Sequence, residues 1–481
     1  MVKLSELDIE KSYAFSFDDF ILLPSYIDIE PNEISLATKF SVNIDLNIPF
    51  VSSPMDTVTE AEMAITLARN GGIGVIHRNN SIEEQIEQVK KVKRAESFII
   101  RDVITISPDA TVGEAARVMQ EHGISGLPVV NENNKLLGII TGRDVRFASP
   151  EIKVKDAMTV DVITAHEKIT PEESIELMKK YRIEKLPVVD KEGILVGLIT
   201  YKDVSLRGKY KFATRDENGR LRVAAAVSPF DLERAIKLAK YADALVIDVS
   251  HFHNQNVISA TYKIIKNVYV DVIIGNLGTK EGVLDSVSKL DKVAGLRVGI
   301  GSGSVCTTTQ ITKAGSPTLY AVALAKEALD ELGLDIPIIA DGGIRNAGDI
   351  ALAMAFGASS AMMGYIFAGC KESPSPMMMI GGRYYKLHRG MGSTSARQKR
   401  LAVDRYAKLP KEVAEGTEAW LPYKGEATSV IQELVAALKA AMGYAGVKNI
   451  KELQTKAKVR RVSSSIYSKA PDLLFPGESR Y

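Results

Sequence analysis

Outside the segment 96–208, the chain alternates short apolar runs with stretches whose apolar residues recur at helical spacing. The runs are PFVSSPMDTV (49–58), GGIGVIHR (71–78), RVAAAVS (222–228), ALVIDVS (244–250), DVIIGNL (271–277), GLRVGIG (295–301), PIIADGGI (337–344) and SAMMGYIFAG (360–369). Runs this short and this continuously apolar read as strands buried on both faces, as in a parallel sheet. Helical patterns such as DLERAIKLAKYA (231–242) and AGDIALAMAFGA (347–358) follow them. The eight runs predict an α/β protein built on a (β/α)8 TIM barrel, with its active site at the C-terminal ends of the strands. Asp56, His77, Asp248, Asn276, Gly301, Asp341 and Gly364 stand at those ends.

Between the second and third runs the pattern repeats itself. VITISPDATVGEAARVM from Val103 is echoed by VITAHEKITPEESIELM from Val162, GISGLPVV from Gly123 by RIEKLPVV from Arg182, and GIITGRDV from Gly138 by GLITYKDV from Gly197, each at an offset of 59 residues. Each unit reads as strand, amphipathic helix, strand, turn, strand, then a helix opening at Asp144 or Asp203. A unit this small buries little core alone, so the two are expected to pack together. The expected organisation is a first barrel part (1–95), a tandem insert (96–208) and the rest of the barrel (209–481). The repeat resembles a tandem pair of cystathionine-β-synthase-type (CBS) domains. That resemblance implies a fold and leaves two roles open: a spacer or assembly module, or a site for adenine or guanine nucleotides.

Composition narrows the class. The chain has 481 residues, is 46% apolar and 25% charged, and carries a formal net charge of +2, which argues against a dedicated nucleic-acid or membrane surface. The basic stretch KELQTKAKVRR (451–461) reads as a solvated helix face. There is no run of 18 apolar residues, and the opening MVKLSELDIE has no apolar leader core, so neither a membrane span nor a secretory signal is expected. Two cysteines, Cys306 and Cys370, make no disulfide framework. The expectation is a cytoplasmic protein with free thiols.

Candidate chemistry centres on VGIGSGSVCTTTQ (298–310), where three glycines and two serines precede Cys306. Glycine lets a backbone approach a ligand closely. The N–H groups of such a turn favour an anion, a thiolate included. A thiolate can attack an electron-poor carbon and hold a covalent intermediate. Glycine turns also occur at DGGI (341–344) and MGYIFAG (363–369), in the last two runs. With GSGS (301–304) they point to a phosphate-bearing ligand across strands six to eight. The alternative is that these glycines serve tight turns alone. Cys370, after FAG, reads as inert filler.

Longer motifs carry a resemblance over nearly the whole chain. GLRVGIGSGSVCTTT (295–309), PFVSSPMDTVTE (49–60), IIADGGIRNAGDIALAMAFGAS (338–359), RGMGS (389–393) and RYAKLPKEVAEGTEAWLPYKG (405–425) resemble the inosine-5′-monophosphate (IMP) dehydrogenases. The resemblance implies NAD-dependent oxidation of IMP to xanthosine monophosphate, in guanine nucleotide synthesis, through a thiol adduct at C2 of the purine. It implies Cys306 as nucleophile and Arg405 and Tyr406 as the water-activating pair on a mobile flap within 395–425. Thr308 relayed to Glu418 is a second route to water. It places Asp341 on the ribose hydroxyls, and Ser304, Gly343, Gly364, Tyr365 and His388 at the phosphate. Gly390, Met391, Gly392 and Glu418 belong at the base edge. Asp248, Asn276 and Gly299 belong at the nicotinamide end of NAD. Backbone carbonyls of Gly301, Gly303 and Cys306 would hold a monovalent cation, usually K⁺. A homotetramer, or an octamer, is the implied assembly.

Several positions depart from that family's pattern. Phe252 in VIDVSHFHN (246–254) and His388 in KLHRGMGS (386–393) stand where glycine and tyrosine are usual. Tyr365 replaces a phosphate-binding serine, and SPTL (316–319) replaces a G-x-P-Q turn. The end of the chain lacks the ESHPH-like stretch that helps close the cation site of a neighbouring subunit. Two other readings compete. GMP reductases share the barrel and thiol but deaminate GMP with NADPH and need no water-activating pair, so Arg405 and Tyr406 favour the dehydrogenase. A non-catalytic nucleotide sensor would keep the fold alone; Cys306, Thr308 and Glu418 together argue against it.

Overall fold

All eight apolar runs contribute strands, and the strands close into one parallel barrel. The computed structural model describes residues 13–96, 98–101, 103–398 and 416–463. In it the barrel strands are β1 (Phe50–Ser52), β2 (Ile73–Ile76), β3 (Ala224–Val227), β4 (Ala244–Ile247), β5 (Asp271–Leu277), β6 (Val293–Val298), β7 (Ile338–Asp341) and β8 (Ser360–Met363). Neighbours in the chain are neighbours in the barrel, and β8 closes on β1 with Met362 opposite Val51. The strands are shorter than the runs that announce them. SAMMGYIFAG leaves the sheet at Gly364 and turns into a short helix, Tyr365–Ala368.

Eight helices cover the barrel: α1 (Ala61–Arg69), α2 (Ile82–Arg94), α3 (Leu232–Leu238), α4 (Gln255–Asn267), α5 (Lys280–Lys289), α6 (Thr318–Leu332), α7 (Ala347–Ala355) and α8 (Ala427–Tyr444). Helix α8 packs against both α7 and α1 and so closes the ring. Inside, alternate strand positions supply the core: Val51, Ile73, Val75, Ala224, Ala226, Ala244, Val246, Ile273, Ile339 and Met362. Each large side chain so buried contributes about 1.5–3 kcal/mol. Phe40, Ile44 and Leu46 join the same core from an antiparallel hairpin, Thr38–Ser41 with Ile44–Leu46. The hairpin sits at the N-terminal ends of the strands: Thr38 donates to the Ser359 carbonyl (2.7 Å) and Ser41 to Asp271 (2.5 Å). With that end plugged, an opening is left at the C-terminal ends.

Residues 94–211 with 215–220 form a second compact unit. The 59-residue repeat is visible in its geometry. Hairpins Gly126–Val130/Leu136–Thr141 and Lys185–Val189/Leu195–Thr200 have equivalent registers, each with an irregularity, after Val129 and after Val188. Helices Val112–His122 and Pro171–Tyr181 open on capping boxes, Thr111 with Glu114 and Thr170 with Glu173. Each repeat has its own apolar core. The hairpins meet where Leu136 N–H donates to Gly193 (3.1 Å) and Leu195 N–H to Asn134 (2.9 Å).

Two readings of the pattern are corrected. KELQTKAKVRR is a helix only over Ile450–Lys456; Val459–Arg461 is a strand paired with Phe20–Leu22. Its partner lies at the opposite end of the chain, so local pattern could not reveal it. Within 405–425, Glu418–Pro422 is a strand, β11, paired with β10 (Arg383–Arg389), which pairs in turn with β9 (Met377–Ile380). Residues 399–415, which include Arg405 and Tyr406, lie outside the described residues. Among the described residues no helix is long and apolar enough to cross a membrane.

Candidate active site

The C-terminal ends of the strands open into a cavity of about 660 Å³. Its wall is built largely from the turn after β6. Gly299 has φ +114°, and a Cβ there would lie 2.4 Å from the Asp341 carbonyl oxygen and 2.6 Å from Thr318 Oγ1. Gly301, at φ +79°, leaves only 2.5 Å between such a Cβ and Thr309 Cγ2. The end of β7 therefore excludes a side chain at Gly299, and Thr309 of the same turn excludes one at Gly301.

That turn delivers the thiol. Cys306 N–H donates to the Gly303 carbonyl (3.0 Å), and the partly exposed Cys306 Sγ donates to Thr308 Oγ1 at 3.3 Å. Segments distant in sequence meet around it. Thr417 N–H donates to the Val305 carbonyl and Gly390 N–H to the Thr417 carbonyl, both at 3.0 Å. A Cβ on Gly390 would stand 2.6 Å from the Val305 oxygen. Cys370 is fully buried, and burial pushes its thiol up to about 12. It cannot serve as a thiolate near neutrality.

Behind the cavity lies a charged cluster. Asp341 accepts from Asn276 Nδ2 (2.8 Å) and from Arg297 Nε (2.9 Å). Arg297 also reaches Asp248 (3.1 Å), whose other oxygen meets Arg78 Nε (3.3 Å). Burial works against the Arg297 charge, but Asp341 and Asp248 outweigh it and hold the guanidinium above its usual value. Asn276 and Asp341 line the cavity, whereas Asp248 is fully buried between two arginines and does not. Arg297 and Arg78 were not singled out from the sequence. The signal was present: an arginine inside the apolar run GLRVGIG must have buried partners.

The lining also includes neutral polar groups. His388 is buried, with Nε2 3.4 Å from Ser304 Oγ and Nδ1 3.5 Å from Thr57 Oγ1. Burial, helped by the Lys424 charge, pushes this histidine down to about 4. It is a neutral imidazole at pH 7, one ring nitrogen donating and the other accepting. Ser304, Gly343, Gly364 and Tyr365 line the cavity with it. Met391 is buried with Gly390 and Gly392 beside it in the lining, and its sulfur accepts from Asp56 N–H (3.5 Å). Burial raises the Asp56 carboxyl, but bonds from Arg389 and Asn79 prevail and hold it below the usual range.

The structure thus brings Asn276, Gly299, Gly301, Gly303, Ser304, Cys306, Thr308, Asp341, Gly343, Gly364, Tyr365, His388, Gly390, Met391 and Gly392 around one cavity. Glu418 is exposed on β11, opposite Arg389, and is not in the lining. Phe252 is fully buried, its N–H on the Asn276 carbonyl (2.9 Å), so its ring packs in the core. Among the described residues no cluster of three or more His, Cys, Asp or Glu could hold a metal.

Known proteins are similar to this chain over most of its length. The model of the IMP dehydrogenase / GMP reductase domain matches residues 14–470. Inosine-5′-monophosphate dehydrogenase of Korarchaeum cryptofilum is 57% identical over 454 residues, covering 94% of this chain and 95% of that one. The enzyme of the same name from Methanocaldococcus jannaschii is 46% identical over 488 residues, covering 98% and 97%. A Trypanosoma brucei GMP reductase variant solved with guanosine 5′-monophosphate superposes with TM-score 0.85 at 34% identity, covering 95% of this chain and 97% of that one. With its barrel, its thiol turn and these likenesses all spanning the same residues, the chain belongs to the IMP dehydrogenase / GMP reductase family.

Proposed function

We propose that this protein oxidises IMP to xanthosine monophosphate, a step of guanine nucleotide synthesis, with NAD as hydride acceptor. The observation that carries the reading is Cys306, partly exposed on a glycine turn in the wall of a cavity large enough for a nucleotide. The Cys306 thiolate attacks C2 of the purine, and the C2 hydrogen leaves with its electron pair for NAD⁺. Water then takes the place of sulfur at C2, the thiol re-forms, and the balance is one NADH and one proton per IMP.

The residues divide the ligand between them. Asp341, held by Asn276 and Arg297, takes the ribose hydroxyls. Ser304, Gly343, Gly364, Tyr365 and His388 take the phosphate; Gly390, Met391 and Gly392 take the base edge. Asn276 and Gly299 face the nicotinamide, with Asp248 acting through Arg297. Arg405 and Tyr406, or Thr308 with Glu418, activate the water. Carbonyls of Gly301, Gly303 and Cys306 come from one turn and suit a weakly hydrated cation such as K⁺. Held there, the cation would stiffen the loop that carries the thiol. The insert is a CBS pair for an adenine or guanine nucleotide, and the assembly is a homotetramer, or an octamer of two.

The test is absorbance at the NADH band on mixing the purified protein with IMP and NAD⁺. Cys306→Ala should bind IMP and yield no NADH, even in a single turnover. Turnover by that variant rejects the covalent route. NADPH consumption with GMP, and none with IMP and NAD⁺, assigns the protein to the reductase half of the family.

A further inference from the structure

We infer that Lys424 is the counter-charge for the nucleotide's phosphate, acting from behind Tyr365 and His388; this rests on the cavity reading above. Among the described residues, those assigned to the phosphate are donors without a charge of their own. They are Ser304, Tyr365, glycine N–H groups and a neutral His388. A phosphate dianion moved from water into such a wall needs a cation close by.

Among the described residues, the other cations near the cavity already have partners. Arg297 is shared by Asp248 and Asp341, Arg345 by Asp18 and Asp349, and Arg389 is paired with Asp56. Lys386 is buried with its ammonium on the carbonyls of Cys370 (3.0 Å), Lys371 (3.1 Å) and Ser373 (2.6 Å). Lys424, like Lys386, has neutral partners, but it stands directly behind the lining: its ammonium donates to the Ile366 carbonyl (3.3 Å) and lies 4.7 Å from the centre of the Tyr365 ring, which faces the cavity.

Its placement is built in. Lys424 N–H donates to the Gly369 carbonyl (2.9 Å), and Lys371 N–H to Gly425 (2.8 Å), so the segment is zipped to the turn after Tyr365–Ala368. A Cβ on Gly369 would stand 3.2 Å from Lys424 Cγ, so glycine there leaves room for the lysine stem. Lys424 is exposed as a residue, yet desolvation disfavours its charge, so its ammonium is in part drawn out of water. The same charge acts on His388, so its field reaches the group that faces the phosphate. Lys424 is a positioning residue: it touches Tyr365, and Tyr365 touches the ligand.

The experiment compares steady-state kinetics with IMP and equilibrium binding of inosine, which lacks the phosphate. The proteins are the parent, Lys424→Gln, Lys424→Met and Lys424→Arg. Both neutral variants should raise KM for IMP roughly 10-fold, more than they lower kcat, with a smaller effect at high salt. Lys424→Arg should recover most of the loss, and inosine should bind all four alike. Equal weakening of IMP and inosine would make Lys424 a packing residue and overturn the proposal. So would an unchanged KM in the neutral variants while Ser304→Ala raises it, a result that leaves the cavity reading standing. If Ser304→Ala and the lysine variants all leave KM unchanged, and the parent binds inosine as tightly as IMP, the cavity reading itself falls.

Discussion

At the scale of single residues, environment decides chemistry more than identity does. Cys306 and Cys370 are the same side chain, one partly exposed beside Thr308, the other sealed and pushed up to about 12. The contrast was legible because three glycines and two serines within six residues lead into Cys306, whereas Cys370 follows the apolar stretch YIFAG. The state of His388 was not legible, since no sequence feature says that it is buried between Ser304 and Thr57. That state has a measurable consequence. An imidazole held near 4 when folded and near 6.5 when unfolded binds fewer protons in the native state between those values, so stability falls as pH drops from about 6.5 to 4 and then levels. His388→Gln should remove a component of roughly 2–4 kcal/mol from that slope. Denaturant unfolding of parent and variant at pH 7, 5.5 and 4 reads the difference. Parallel stabilities across the range would show that His388 titrates normally.

At the scale of elements, local pattern located the strands and missed their ends. Each barrel strand is buried on both faces, so a continuous apolar run marks it; the run continues beyond the strand because the following loop is buried too. Residues 360–369 show this, with β8 ending at Met363 and the apolar side chains of Ile366 and Phe367 buried from a helix. The turn after β6 is an element whose glycines were legible as a group but whose demands were individual. Gly299→Val places a branched side chain at φ +114°, 2.4 Å from the Asp341 carbonyl. It should cost about 3 kcal/mol or more of stability and lower kcat/KM by at least ~10²-fold, because the loops carrying Cys306 and Asp341 must separate. Calorimetry with kinetics on IMP checks it, and Gly303→Val is the comparison: its nearest neighbour is Cys306 Cβ at 3.4 Å, an ordinary contact. Equal losses in both would mean that close approach at Gly299 is not what matters.

At the scale of the molecule, a barrel that closes on itself carries an insert with cores of its own. The insert leaves the chain after α2 and returns before β3, so barrel pairing continues directly from β2 to β3. Replacing residues 96–208 by a short flexible linker should therefore preserve folding and IMP oxidation to within about threefold. A folded deletion protein that binds IMP and yields no NADH would place part of the active site in the insert.

The sequence by itself determined what depends on local periodicity and on backbone demands: eight buried strands, the helices between them, the tandem repeat, and a thiol on a glycine turn. These are legible because neighbouring residues along the chain impose them. Tertiary structure alone decided the rest. It plugged one end of the barrel with the 38–46 hairpin, paired Val459–Arg461 with the far end of the chain, and set Arg297 between Asp248 and Asp341. It also made β11 a strand beside the thiol turn, and backed Tyr365 with Lys424. The physical reason is common to all of these: burial, charge pairing and strand pairing between distant segments depend on which surfaces meet, and no local pattern records that.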